Sequence, residues 1–121
     1  MIPRPLRLAL FIAACATIVW LSLAPTTALP GVNMSDKLEH AAAYGVLALL
    51  GAWAFRARSW RLALGLFALG VGMEIAQSTM GWGRQGDLLD AAANSLGIAL
   101  GLGLAHLVGE RLMVKSPARG E

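Results

Sequence analysis

Apolar residues run almost continuously through this chain, and only short polar intervals interrupt them. Four stretches stand out, at about 8–24, 38–55, 62–80 and 88–108. Each is close to the ~20 residues that carry an α-helix across ~30 Å of hydrocarbon. The intervals between them are short. The pattern therefore predicts an all-α fold: a compact bundle of four transmembrane helices forming one domain over residues 1–121, with a basic tail at 109–121 that frays.

The polar positions inside these stretches are few, and they fall on shared helical faces. Before the second helix, Pro25, Pro30 and Gly31 mark an irregular outer loop. Ser35 or Asp36 then supplies a side-chain acceptor to cap that helix. Asp36, His40 and Tyr44 follow at i, i+4 and i+8 on one face, beside a stripe of Ala41, Gly45, Ala48 and Ala52 that permits close helix contact. In the third helix Gly70, Glu74 and Gln77 share a face. Glu74 lies about a dozen residues beyond Arg61, hence ~18 Å along the helix at ~1.5 Å per residue. Gly81, Trp82 and Gly83 turn the chain. In the fourth helix Asp87, Asp90 and Asn94 share a face at i, i+3 and i+7, and Ala93, Gly97, Gly101 and Ala105 follow one another every four residues.

Composition agrees with hydropathy. A chain of 121 residues that is 57% hydrophobic and 14% charged is too small to bury its apolar surface away from water. Its mean hydropathy is +0.63. Charge then gives an orientation. Arg4, Arg7, Arg56, Arg58, Arg61, Arg111, Lys115 and Arg119 all fall on one side of the bundle, which the positive-inside rule makes cytoplasmic. Both termini are expected inside. Lys37 and Arg84 are the only basic residues on the outer side. The net charge of +3 is thus a topology signal and not a sign of nucleic-acid binding.

A basic start followed by an apolar run is also the outline of a signal peptide. Thr26-Thr27-Ala28 would serve as a cleavage site, and Ile12-Ala13-Ala14-Cys15 matches a lipoprotein pattern. The first apolar run exceeds the usual ~7–15 residues of a signal peptide, and residues 16–24 stay apolar where a lipoprotein tether would turn polar. A retained helix is the expectation. Cys15 is the only cysteine, so no intrachain disulfide forms, and it reads as an apolar filler. Trp20, Trp53, Trp60 and Trp82 suit interfacial belts.

Topology brings the polar positions to one level. His40 begins an inward-running helix, Glu74 and Gln77 end an outward-running one, and Asp87, Asp90 and Asn94 begin the next. Each buried carboxylate or amide costs roughly 2.5–3.5 kcal/mol on insertion scales. Several such costs in one layer point to a site. Singly, Asp36 and Lys37 also suit an interfacial cap and a cation reaching for the interface, and His40 suits a hydrogen bond between helices.

Asp36-Lys37-x2-His40-x3-Tyr44, then Glu74-x2-Gln77, then Arg84-x2-Asp87-x2-Asp90-x3-Asn94-x2-Gly97 resembles the VanZ-like family of bacterial membrane proteins. The resemblance covers residues 36 to 101. It implies a multi-pass protein of the bacterial plasma membrane, from a family linked to reduced glycopeptide susceptibility, notably to teicoplanin. It brings no settled reaction and no substrate.

The residues leave three classes of function open. In the first, Lys37 and Arg84 hold an anionic lipid headgroup or cell-envelope precursor at the outer leaflet, with His40, Glu74, Gln77, Asp87, Asp90 and Asn94 lining the site. Arg suits phosphate because its planar fork donates two hydrogen bonds at once. In the second, a small membrane enzyme acts on a lipid or headgroup with His40, Glu74 or Asp90 as acid and base; the chain has no activated serine or cysteine motif. His40, Glu74 and Asp90 could also hold a divalent metal, although no metal-binding spacing is present, and no cofactor is assigned. In the third, the polar cluster locks the bundle and function belongs to a partner protein.

Overall fold

The structure, a computed structural model, describes residues 2–23, 35–56, 60–80 and 88–115. Within them the chain is all-helical: α1 (Arg4–Leu23), α2 (Ser35–Phe55), α3 (Trp60–Met80) and α4 (Leu88–Lys115). All four are long and apolar enough to cross a membrane. Large apolar side chains face outward along them; Leu38 is 72% exposed, Ile12 64% and Leu100 64%. Water would penalise such a surface, whereas hydrocarbon would not. Hydroxyls inside the helices turn back on their own backbone. Thr17 donates to the Ala13 carbonyl at 2.8 Å, Ser78 to Glu74 at 2.9 Å and Ser95 to Ala91 at 2.9 Å. Each hydroxyl is thereby satisfied within its own helix.

The loop expected at 25–35 lies outside the described residues apart from Ser35 in the α2 backbone, and so do the turn expected at 81–83, Arg84, Asp87 and the cap expected from the Asp36 side chain.

Two helix ends differ most from the hydropathy reading. α1 begins at Arg4 rather than 8, because proline is tolerated in a first turn where the backbone N–H has no helical partner. The Pro3 carbonyl accepts from the Leu6 and Arg7 amides, both at 3.1 Å, and so opens the helix. α4 continues to Lys115, seven residues beyond the apolar run and into the stretch expected to fray. Hydropathy stops at 108, but Glu110, Arg111, Leu112 and Met113 are good helix formers, and helix propensity needs no apolar face. α2 ends with Arg56 in the left-handed region at φ 55°, the conformation that commonly closes a helix.

α2 packs most extensively against α4, and α1 packs on α2 and α3 without touching α4 among the described residues. Small residues explain the first contact. A methyl group at Gly97 would overlap the Ala41 carbonyl oxygen, and one at Gly101 would lie 2.5 Å from the Gly45 oxygen and 2.8 Å from Ala48 Cβ. Residue numbers rise together along both helices, so they run parallel. The core below this contact is Tyr44, Leu47, Ala48, Leu66 and Ile98. Phe11 and Phe55 close its far end edge to face, with centroids 5.4 Å apart.

Candidate functional site

Above the core, buried polar residues gather at one end of the bundle. Glu74, Gln77, Asp90 and Asn94 are all buried, at 9%, 4%, 5% and 2% exposure. α2 contributes Lys37 and His40 from its first two turns, α3 contributes Glu74 from its last two, and α4 contributes Asp90 and Asn94 from its first two. Glycine at 70 and 97 lets these elements close in. A methyl at Gly70 would lie 3.1 Å from Asn94 Nδ2 and 3.5 Å from the Tyr44 ring.

The contacts form an ordered chain. Lys37 Nζ is ion-paired and hydrogen-bonded to Asp90 Oδ1. Asp90 Oδ2 faces His40 Nε2 at 3.7 Å. The other imidazole nitrogen, His40 Nδ1, lies 3.0 Å from Asn94 Oδ1. An amide oxygen only accepts, so Nδ1 carries the proton in this bond. Glu74 completes the group: His40, Glu74 and Asp90 each offer a ligand atom, and these atoms lie within 4.8 Å of one another. The Tyr44 hydroxyl and Asn94 Nδ2 are buried with no hydrogen-bond partner among the described residues.

His40, Glu74, Asp90 and Asn94 are thus brought together, and Lys37 stands at their edge with its side chain 36% exposed. Gln77 reaches elsewhere. Its Nε2 donates to the Ser22 carbonyl at 2.7 Å, satisfying one of the open carbonyls at the end of α1. Arg84 and Asp87, the remaining two candidates, lie outside the described residues. One charged residue that sequence reasoning assigned only to topology is also buried. Arg7, 7% exposed, donates from Nη1 to the Ile2 carbonyl at 2.8 Å and lies 6.0 Å from the Trp53 ring centroid. It belongs to the opposite end of the bundle, and the available signal was a cation near the start of one helix with a tryptophan near the end of the next.

Chemically, the arrangement offers an imidazole held at Nδ1, two buried carboxylates and a partly exposed ammonium. Lys37, Glu74 and Asp90 alone carry a formal charge of −1. No family model, curated protein or solved structure matches the chain.

Proposed function

We propose that the chain is a VanZ-like protein of the bacterial plasma membrane whose polar site, facing outward, binds an anionic phosphate-bearing amphiphile. The amphiphile is a lipid headgroup or a lipid-linked envelope precursor, and through it the protein acts on glycopeptide susceptibility. The observation that carries this reading is the Lys37–Asp90 pair. A buried carboxylate fixes the direction of an ammonium that still reaches the surface, and an oriented cation recognises phosphate better than a mobile one because less entropy is lost on binding. Arg84, three residues before Asp87 and six before Asp90 in the sequence, would add a second cation whose planar fork can donate two hydrogen bonds to phosphate.

The test is native mass spectrometry of protein released in mild detergent. Wild type is expected to retain an anionic phospholipid or a polyprenyl phosphate, and the measured mass separates the two sources. Lys37→Gln and Arg84→Lys are each expected to lower retention at least tenfold while the protein stays folded. Normal retention in both variants, with a lower unfolding temperature, would make the cluster purely structural and end this reading.

Orientation is tested separately. In a Cys15→Ser background, cysteines placed at Asn33 and Gln85 are expected to react with an impermeant thiol reagent in intact cells, and one at Ser59 to be protected. Labelling at Ser59 with protection of the other two would put the site on the cytoplasmic side.

A further inference from the structure

We infer that His40, Glu74 and Asp90 form a binding site for a first-row divalent cation of the zinc class. The inference rests on the cluster's own geometry and does not depend on the amphiphile reading.

Three atoms no more than 4.8 Å apart share a point at most about 2.8 Å from each of them. Zinc bonds to histidine nitrogen and carboxylate oxygen run ~2.0–2.2 Å, so side-chain adjustments of well under 1 Å would complete the coordination. The His40–Asp90 spacing points the same way. At 3.7 Å, Nε2 and Oδ2 are too far apart for a hydrogen bond. Two ligands of one tetrahedral ion, by contrast, lie ~3.4 Å apart at those bond lengths.

The orientation of the ring supplies a second argument. Asn94 Oδ1 accepts the Nδ1 proton of His40, and Nε2 is the ring nitrogen turned toward the Asp90 carboxylate. A metal-binding histidine has this arrangement, with the remote ring nitrogen held by an oxygen acceptor. Asp90 also divides its oxygens, giving Oδ1 to Lys37 and turning Oδ2 toward His40. The third observation is Tyr44. Its hydroxyl, in a residue 2% exposed and one turn along α2 from His40, has no hydrogen-bond partner among the described residues. A water on the ion would supply one, as buried polar groups require.

One imidazole and two carboxylates suit the borderline metals better than magnesium or calcium, which favour all-oxygen shells. An ion here would also change the electrostatics of the site. Lys37, Glu74 and Asp90 would pass from a formal −1 to +1, making the pocket attractive to phosphate.

The probe is cobalt(II), whose visible absorption reports its ligands. Tag-free protein in detergent, stripped with chelator, is expected to bind one equivalent of Co2+ with a new absorption band that Zn2+ displaces. Zn2+ is also expected to raise the unfolding temperature, because a ligand that binds only the folded state stabilises it. His40→Gln, Glu74→Gln and Asp90→Asn should each weaken Co2+ binding at least tenfold, and His106→Gln should not. Lys37→Gln should keep the band. Wild-type protein with no band and no Zn2+-dependent stabilisation would overturn the inference whatever the variants do. So would a band lost in His106→Gln and kept in His40→Gln. Lipid retention without metal binding would refute the ion alone, and metal binding without lipid retention would refute the amphiphile reading alone.

Discussion

Gly97→Ala is expected to lower stability by about 3 kcal/mol or more, from one methyl group. Overpacking in a filled interior typically costs about 1–3 kcal/mol when side chains can shift to make room. Here the new Cβ would meet the Ala41 backbone carbonyl, and a helical carbonyl cannot rotate away without breaking its own hydrogen bond. α2 and α4 would have to separate. Because His40 lies on one of these helices and Asp90 and Asn94 on the other, separation would open the polar cluster as well. Thermal unfolding in detergent, followed by circular dichroism, measures the first effect. Gly103→Ala is the control, since nothing lies within 4 Å of a methyl built there. Alanine is also the better helix former by about 1 kcal/mol, so no loss of stability is expected. Equal unfolding temperatures for Gly97→Ala and wild type would disprove the close contact.

The second large effect is expected from Asn94→Leu. This residue is 2% exposed and accepts the Nδ1 proton of His40. Leucine has the same branched outline, a larger volume and no acceptor, so a polar N–H is left buried without its bond, at a cost of about 1–3 kcal/mol, with any overpacking added to it. The imidazole would also lose the contact that fixes its tautomer and ring angle. Changes of that kind in the support of a metal-binding histidine typically reduce metal affinity about 10–100-fold. Asn94→Asp restores an acceptor oxygen at the same place and is expected to recover Co2+ binding even if stability stays low. Should Asn94→Leu unfold and bind Co2+ as wild type does, the His40–Asn94 bond would have no role in the site.

Much of this end of the bundle was legible before any coordinates. In membrane-spanning helices the lipid-facing side is as apolar as the core, so hydrophobic periodicity says little about which face turns inward. Small and polar residues say more. The stripe of Ala41, Gly45 and Ala48 and the repeat of Gly97 and Gly101 marked the two faces that now meet. Depth along the helices placed His40, Glu74, Asp90 and Asn94 in one layer, because an alternating helix direction leaves little freedom at a given level.

Pairings within the layer were not legible. Nothing in the spacing shows that Lys37 reaches Asp90 across 53 positions, or that Asn94 and not Glu74 holds the Nδ1 of His40. Those choices depend on helix rotation by a few tens of degrees. Gln77 shows the same gap: its partner is a backbone carbonyl of α1, a helix whose apolar run has no charged residue to reveal the face it presents. Arg7 was obscured for another reason. The positive-inside rule counts charges and says nothing about burial, so a cation over a tryptophan counts the same as one in solvent.

The tightness of the α2–α4 contact determines which part of the bundle can move. With the Gly97 and Gly101 backbones seated on the carbonyls of Ala41 and Gly45, these two helices cannot slide or part by small steps, and they behave as one rigid body. α3 is held less closely. It meets α2 and α4 less extensively than they meet each other, and its close approach to them is at Gly70, against Asn94 and Tyr44. Among the described residues Glu74 is therefore the one carboxylate of the cluster carried outside that pair. A shift of α3 against that pair would move Glu74 relative to His40 and Asp90, and so would widen or narrow the buried end.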